Sequence, residues 1–504
     1  MKSLKLALKK HPIVYIARDL ERALGLSSNY QDYYIITNKA SQSQKPKTGF
    51  AKNIIFISGD HILDTHELLV HPKTIAFFKK LTSPRILVFK NNSTVEKICH
   101  DHNWTLLNPP AALSIQIEGK ISQIAWLDTL ASLLPPHQVD LLKNISWPGT
   151  KFIMQFNNRV HTGQSTLLIN NLSELQTLQQ RFPKRTVRVF KFIEGMMFTN
   201  NNIVWGNKVL TGNINYQITG LHPFTDHPFA TIGNDWGLPH KSLTKKLQQD
   251  YFKITKLVGK KLINNGWRGL FGIDVILDSK KKKWYLIEVN ARQPASTTYE
   301  SQLQESQKSK VKSQKYITTF EAHLASLLKV EYTGEKLIAI KEGAQIIQRV
   351  KEKTQPTNKL EKVDIKLIQK SISHLVDDFR QELYNGSPGF VDELLQANET
   401  HLAVETLCEQ IHDTHTILNS YSYEELIKIA KTLKIKPLYW SNLPKEKLPK
   451  INLSRSGLTL ISYTNTEPGA DALRIQSKKS IMENHNQFNE LGKKIKTFVL
   501  EANE

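Results

Sequence analysis

The sequence predicts a multidomain α/β and α+β protein: a small doubly wound N-terminal α/β domain over 1–110, a two-lobed α+β domain over 111–335 with its small lobe at about 145–195, and a mostly helical C-terminal extension over 336–504. Three observations carry this expectation. A chain of 504 residues is too long for one ordinary hydrophobic core. Before Pro109-Pro110, apolar runs of four to six residues alternate with helical patterns, as in a parallel layer. After that point strand-like segments come in pairs joined by polar turns, as in antiparallel hairpins.

Composition narrows the function classes. Apolar residues make up 40% and charged residues 23%, which are globular values. No segment approaches the roughly 18 uncharged apolar residues of a membrane span, so no membrane partner is expected. The net charge is +22, but the lysines are spread along the whole chain without RNP-like aromatics or zinc-finger spacing, which disfavours a nucleic-acid partner. Cys99 and Cys408 match no disulfide or metal spacing, and Lys5 and Lys9 interrupt the apolar stretch of the N-terminus. A reducing, cytoplasmic setting without a secretory signal is the expectation, and a homo-oligomer stays open.

In the N-terminal segment, PIVYIARDLERALGL followed by YYIITN reads as strand, polar turn, helix and strand; NIIFISGD, a helical stretch through Lys80 and RILVFK repeat the theme. No GxGxxG follows the first strand, so the dinucleotide fingerprint is absent and the layer is expected to be a scaffold or substrate platform. Asn108-Pro109-Pro110 ends it, because consecutive prolines bar helix continuation. A helix is expected from Lys120 to Leu134. KFIMQF, the polar NNRVHTGQS and TLLINN form a hairpin with a long tip, SELQTLQQRF forms a helix with Ser173 as N-cap, and VRVFKFIEG forms a strand. Residues 217–241 read as one long turn-rich loop, and loops of that length in compact domains carry function. Its His222, Asp226, His227 and Asp235 match no strong zinc pattern, and Asn234-Asp235-Trp236 is expected to shape a substrate wall. A helix over Ser242–Asn264 precedes GWRGLFGIDVILD; beyond Tyr299, SQLQESQKSKVKSQK reads as an exposed loop.

The segments FGIDVILD and WYLIEVN are joined by Ser279 and four lysines, the pattern of an antiparallel hairpin. Symmetric pairing of Asp278 with Trp284 puts Asp274 directly opposite Glu288. Side chains alternate between faces, so Glu288, Asn290 and Arg292 share one face while Tyr285, Ile287 and Val289 share the other. Directly opposed carboxylates, with Cβ atoms about 5 Å apart, destabilise a sheet unless a cation compensates. Lysine or arginine could do so. Two carboxylates and an amide oxygen are also the hard ligands that Mg²⁺ prefers, with nucleotide phosphates and water completing its octahedron. Arg292 could then hold a phosphate or carboxylate bidentately. A plainly solvated polar face is the competing reading of the same alternation.

With GWRGLFGIDVILD followed by WYLIEVNARQPAS, the chain resembles the ATP-grasp superfamily, whose late motif runs Gly-x-x-Gly-x-x-Gly-x-Asp or Glu, then a hairpin, then Glu-x-Asn-x-Arg. The resemblance covers roughly 110–330 in element order and implies ATP held between two α+β lobes. It implies Mg²⁺ on Asp274, Glu288 and Asn290, and a catalytic Arg292 near the reacting phosphate or acyl group. Lys120 resembles the first phosphate-binding lysine, also catalytic. The loop His161, Thr162, Gly163 to Ser165 resembles the one that folds over the phosphates with backbone N–H groups and hydroxyls. Main-chain atoms of Lys191 and Ile193 would meet the adenine edge. The chain departs from the family at three places. Gln155 stands where a second phosphate lysine is usual, Gly163 is the lone glycine of the covering loop, and Met197 replaces a ribose-binding acid.

The resemblance implies an ATP-dependent ligase that joins a carboxylate to an amine, small-molecule or peptide, through an acyl phosphate. Such chemistry needs neutralisation of phosphoryl charge rather than a protein nucleophile. A regulatory nucleotide-binding protein with weakened catalysis is the alternative that Gln155 and Met197 favour. A biotin-carboxylase-like enzyme is a further one, although no Met-Lys-Met attachment segment is present.

Overall fold

The computed structural model describes residues 2–27, 30–39, 51–59, 61–156, 166–308, 313, 315–350, 458–463 and 469–503. Two compact units divide the chain: Met1–Arg349 with Pro444–Thr464 and Asp471–Glu504, and Val350–Leu443 with Asn465–Ala470. Of the second, only Val350, Gly469 and Ala470 are described, tied together by two backbone hydrogen bonds of 2.9 Å.

The first unit opens with helix α1 (Lys2–Lys10) and a parallel sheet of β1 (Ile13–Ala17), β2 (Tyr33–Asn38), β3 (Ile54–Ile57), β4 (Arg85–Val88) and β5 (Thr105–Leu106), in the order β3-β2-β1-β4-β5. Every residue of β1 is buried, because both faces are covered; hence its uninterrupted apolar run. Helices α2 (Thr65–Val70), α3 (Pro72–Phe78) and α4 (Ser93–Asp101) contribute Leu68, Phe78 and Val95 to the core on one side, and Phe320 packs with Tyr15 and Tyr33 on the other. The helix expected after β1 is only a 3-10 turn, Leu20–Ala23, whose Glu21 is drawn inward to accept from Tyr463 Oη at 3.1 Å.

Of the helix expected over Lys120–Leu134 only Ser122–Leu127 is α-helical, followed by a 3-10 turn over Asp128–Leu133, and a second helix precedes it. Helix α5 (Ala111–Glu118) starts directly after Pro110 and stops at Gly119, and α6 (Ser122–Leu127) ends at Asp128, whose φ of 54° leaves the helical region. The break places Lys120 in the bend between them. Next comes an antiparallel sheet in the order β6-β9-β7-β8, from β6 (His137–Leu141), β7 (Phe152–Phe156), β8 (Thr166–Ile169) and β9 (Thr186–Lys191). Helix α7 (Leu172–Arg181) covers it, with Leu175 packed among Met154 and Val187. Its N-cap is Asn171 rather than Ser173: the Asn171 Oδ1 accepts from Glu174 N–H at 3.0 Å.

The largest sheet contains β10 (Gly195–Trp205), β11 (Lys208–Leu210), β12 (Asn215–Thr219), β13 (Thr231–Asp235), β14 (Gly269–Asp278) and β15 (Trp284–Asn290). Helices α8 (Leu238–Ser242) and α9 (Lys245–Asn264) follow β13, and α9 buries Tyr251, Ile254, Val258 and Leu262 against Phe271, Ile273 and Val275 of β14. After β15 come α10 (Thr297–Gln307), the short parallel pair β16 (Tyr316–Ile317) and β17 (Lys336–Leu337), and α11 (Thr319–Leu327) between them. The sheet is extended by β18 (Ala344–Arg349), β19 (Leu458–Ser462) and β20 (Asp471–Ser477), giving the order β15-β14-β10-β12-β13-β18-β20-β19 with β11 on β10.

Three further segments differ from the sequence reading. Residues 217–241 hold two strands and a helix rather than one loop. The first half of the stretch read as exposed after Tyr299, 301–307, belongs to α10, in which Ser301, Leu303 and Gln304 are buried and the Ser301 and Gln304 side chains are hydrogen-bonded; the polar composition disguised this burial. The described part of 336–504 is mostly strand apart from α12 (Glu490–Asn503). In β20, Leu473 and Ile475 enter the apolar core while Arg474 is buried on the opposite face, so the pattern lacks a polar, solvated side.

Candidate nucleotide and metal site

The hairpin of β14 and β15 pairs Asp274 with Glu288 and Gly272 with Asn290, as expected, but a bulge follows. Val275 pairs with Leu286, and Trp284 pairs with Leu277 rather than with Asp278 as symmetric pairing had it, leaving Ile287 as the extra residue. A bulge re-aims the side chains beyond it. Trp284, Leu286 and Val289 therefore join the core with α9, whereas Tyr285 and Ile287 pack with Ile193, Ile276 and Met197. The expectation that Tyr285 and Ile287 share a face with Val289 is thus corrected: they form an apolar patch beside the acids.

Lys120 Nζ donates to Glu288 Oε2 at 2.7 Å, with the two side chains 18% and 25% exposed. Asp274, across the strand from both Glu288 and Thr199, has its carboxyl pushed up to about 6. Burial is the main cause and the Glu288 charge adds to it, against hydrogen bonds from Thr199, Asn290 and Gln217. Arg292 Nη2 donates to Asn290 Oδ1 at 2.9 Å, and its Nε lies 3.1 Å from Glu118 Oε1 at the end of α5. Lys120, Asp274, Glu288, Asn290 and Arg292 are therefore brought together. A cleft lined by Lys90, Asn108, Glu118, Trp267, Arg268 and Arg292 opens beside them.

Gln155 lies on β7, buried, with its Nε2 donating to Thr166 Oγ1 at 3.0 Å. Lys191 ends β9, and its N–H already donates to the Pro136 carbonyl at 3.1 Å; Ile193 belongs to the apolar patch. His161, Thr162, Gly163 and Ser165 lie outside the described residues. Gly195 begins β10 at the edge of this patch, where an added Cβ would meet the Leu277 carbonyl oxygen at 1.9 Å, so only glycine fits the close approach of the two strands.

The polar row across the rest of the sheet escaped the sequence reading. Asn234 Nδ2 donates to Asn215 Oδ1 at 2.8 Å, Gln345 Nε2 to Asn234 Oδ1 at 2.8 Å, and Arg474 Nη1 to Gln345 Oε1 at 3.0 Å. The row ends in buried charges: Asp471 accepts from Arg22 and Arg474 at 2.8 Å each and pairs with Arg349. Its sequence signal was a charged residue inside an otherwise apolar run, at Arg474. Asp235, expected in a substrate wall, is instead fully buried. Its carboxylate accepts from the N–H groups of Gly237, Leu238, Ile481 and Met482, tying β13 to the segment after β20. Trp236 is buried against Tyr299, and His222 and Asp226 are exposed.

Among the described residues no group of three or more His, Cys, Asp or Glu side chains could hold a metal ion. Asp274, Glu288 and Asn290 supply two carboxylates and an amide. That set fits Mg²⁺ where phosphate oxygens and water provide the remaining ligands, and does not fit an all-protein cage. Among the described residues no helix is long and apolar enough to cross a membrane.

No protein-family model and no curated protein matches the sequence. The fold has clear likenesses among solved structures. An N5-carboxyaminoimidazole synthase from Aspergillus clavatus in complex with ADP and 5-aminoimidazole ribonucleotide is 10% identical, with a TM-score of 0.52 over 98% of this chain and 99% of that one. The ADP complex of PurK, an N5-carboxyaminoimidazole ribonucleotide synthetase, is 9% identical, with a TM-score of 0.52 over 98% and 97%. At such identities the likeness speaks to architecture alone, and it agrees with the motif that Gly272, Asp274, Glu288, Asn290 and Arg292 compose. The chain has the ATP-grasp fold.

Proposed function

We propose that this protein is an ATP-dependent ligase that joins a carboxylate to an amine. The observation that carries the reading is the opposition of Asp274 and Glu288 within reach of Lys120, beside an apolar patch of Ile193, Ile276, Tyr285 and Ile287. The patch suits the flat face of adenine. The charged group suits the phosphates, with Asp274, Glu288 and Asn290 holding Mg²⁺, which would supply charge neutralisation at the phosphoryl oxygens.

In this reading the substrate carboxylate oxygen attacks the γ-phosphorus, the bond to ADP breaks, and ADP leaves with the electron pair. An amine then attacks the acyl carbon of the acyl phosphate, the amine loses a proton and phosphate departs. Arg292, between Asn290 and Glu118 at the mouth of the cleft, orients the carboxylate and stabilises charge on the transferring group. Lys120 exchanges its Glu288 partner for phosphate oxygens when nucleotide binds. Neighbouring structures hold ADP, and one of them a small amine-bearing ribonucleotide, which supports this assignment of roles.

The second reading, a nucleotide-binding regulatory protein, is favoured by Met197, which lines the apolar patch where an acid would bind ribose. A screen for ADP release with pools of carboxylates and amines separates the two. Release that requires one carboxylate and one amine supports the ligase. Nucleotide binding with no release in any pool supports the regulator.

A further inference from the structure

Arg188 on β9 stands directly opposite Gln155 on β7, so the two side chains project from the same face of the small sheet. Arg188 is 1% exposed and is among the largest fully buried side chains of the described residues. A guanidinium carries five N–H donors. Among the described residues only Nη1 has a partner, the Lys120 carbonyl at 3.3 Å; Nε and Nη2 are buried with no hydrogen-bond partner there. Across the strand, Gln155 Oε1 is likewise buried without a partner.

A buried charge is normally paired, and leaving its donors unmade is among the more destabilising arrangements in a protein interior. The acid whose charge acts on Arg188 is Glu288, which is already engaged by Lys120. Burial pulls the Arg188 guanidinium down to about 10, so it stays charged at neutral pH. Its Nε and Nη2 form the edge that grips two oxygens of a carboxylate or phosphate side-on. The ring of Phe190 lies 5.1 Å from its Cζ, leaving the polar edge as its means of recognition.

We propose that Arg188 binds phosphate oxygens of the nucleotide, supplying from β9 the positive charge that Gln155 does not supply from β7. The proposal rests on the ligase reading above and assigns the triphosphate two protein cations, Lys120 from the α5–α6 bend and Arg188 from the small sheet. Moving the cation one strand sideways keeps it on the same face, and it accounts for a buried arginine whose side-on edge has no partner among the described residues.

The test is calorimetric titration of the full chain with ATP, ADP and adenosine, for the unsubstituted protein, Arg188→Gln, Arg188→Lys and the exchange Gln155→Lys with Arg188→Gln. Loss of a charge-assisted bidentate contact is expected to weaken ATP and ADP roughly 10- to 100-fold and to leave adenosine unchanged. Arg188→Lys should fall between, and the exchange should recover phosphate affinity. Should Arg188→Gln not fold, the lysine variant and the exchange carry the comparison. An Arg188→Gln protein that binds ATP as tightly as the unsubstituted chain overturns the proposal, as does equal weakening of all three ligands, which marks a merely structural role. An unsubstituted chain that binds neither ATP nor ADP instead overturns the ligase reading and this assignment with it.

Discussion

Lys120 Nζ lies 2.7 Å from Glu288 Oε2, and Glu288 stands directly across the hairpin from Asp274. The ammonium therefore neutralises one member of a pair of opposed carboxylates, which repel each other when both are charged. Replacing Lys120 with methionine keeps much of the apolar stem and removes the charge. ATP affinity is expected to fall roughly tenfold or more, while adenosine affinity is retained. A dissociation constant for ATP that does not change would remove Lys120 from the site.

Ile276 lies two residues beyond Asp274 on the same face of β14, and the bulge after Asp274 turns Ile287 of β15 into the patch beside it. Ile276→Asn should weaken ATP, ADP and adenosine alike, by roughly tenfold, since it places an unmet amide against the base. This uniform loss contrasts with the phosphate-dependent loss expected at Lys120. Affinities measured for the three ligands distinguish the two patterns.

Asp471 is held far below the usual carboxylate range, because the neighbouring Arg349, Arg22 and Arg474 guanidinium groups outweigh the effect of burial. A depressed native pKa gives stability that is present above the unfolded value near 3.9 and lost as pH falls below it. Asp471→Ala should destabilise the fold by about 3–5 kcal/mol by leaving buried guanidinium groups uncompensated. Denaturant midpoints at neutral and acid pH measure both effects, and a variant as stable as the parent would contradict the pairing.

Glu300 shows the opposite sign. It is completely buried, and burial pushes its carboxyl up to about 7 despite hydrogen bonds from Thr319, Asn201, Asn213 and Trp236. The native state holds this proton more tightly than the unfolded chain, so stability should fall as pH rises from about 4.5 to about 7 and level off above. Glu300→Gln should abolish that part of the slope. Urea midpoints across this window, compared between parent and variant, provide the check.

The parallel N-terminal layer was legible because β1 and β2 are buried on both faces and read as plain apolar runs. In the sequence the Asp274–Glu288 pairing follows from a symmetric Asp278–Trp284 pairing that the hairpin does not have: Leu277 pairs with Trp284, and the extra residue Ile287 brings the register back into step at Asp274. The bulge was not legible, since one extra residue changes no composition and leaves the motif intact while turning Ile287 toward the patch. Arg188 was hidden for a related reason: within VRVFKF it looks like the solvated position of an alternating strand, and only the pairing of β9 with β7 reveals its opposition to Gln155. Asp471 and Arg474, three residues apart, also meet Arg349 and Gln345 more than a hundred positions away, a relationship that no local pattern encodes.

The central claim is that Asp274 and Glu288 hold a divalent cation together with nucleotide phosphates. Its most direct measurement is the ATP affinity of the parent, Asp274→Asn and Glu288→Gln proteins, each titrated with and without Mg²⁺. The account predicts that Mg²⁺ strengthens binding to the parent and has little effect on either variant, both of which keep the parent's cooperative thermal unfolding. Equal strengthening by Mg²⁺ in all three proteins would contradict it.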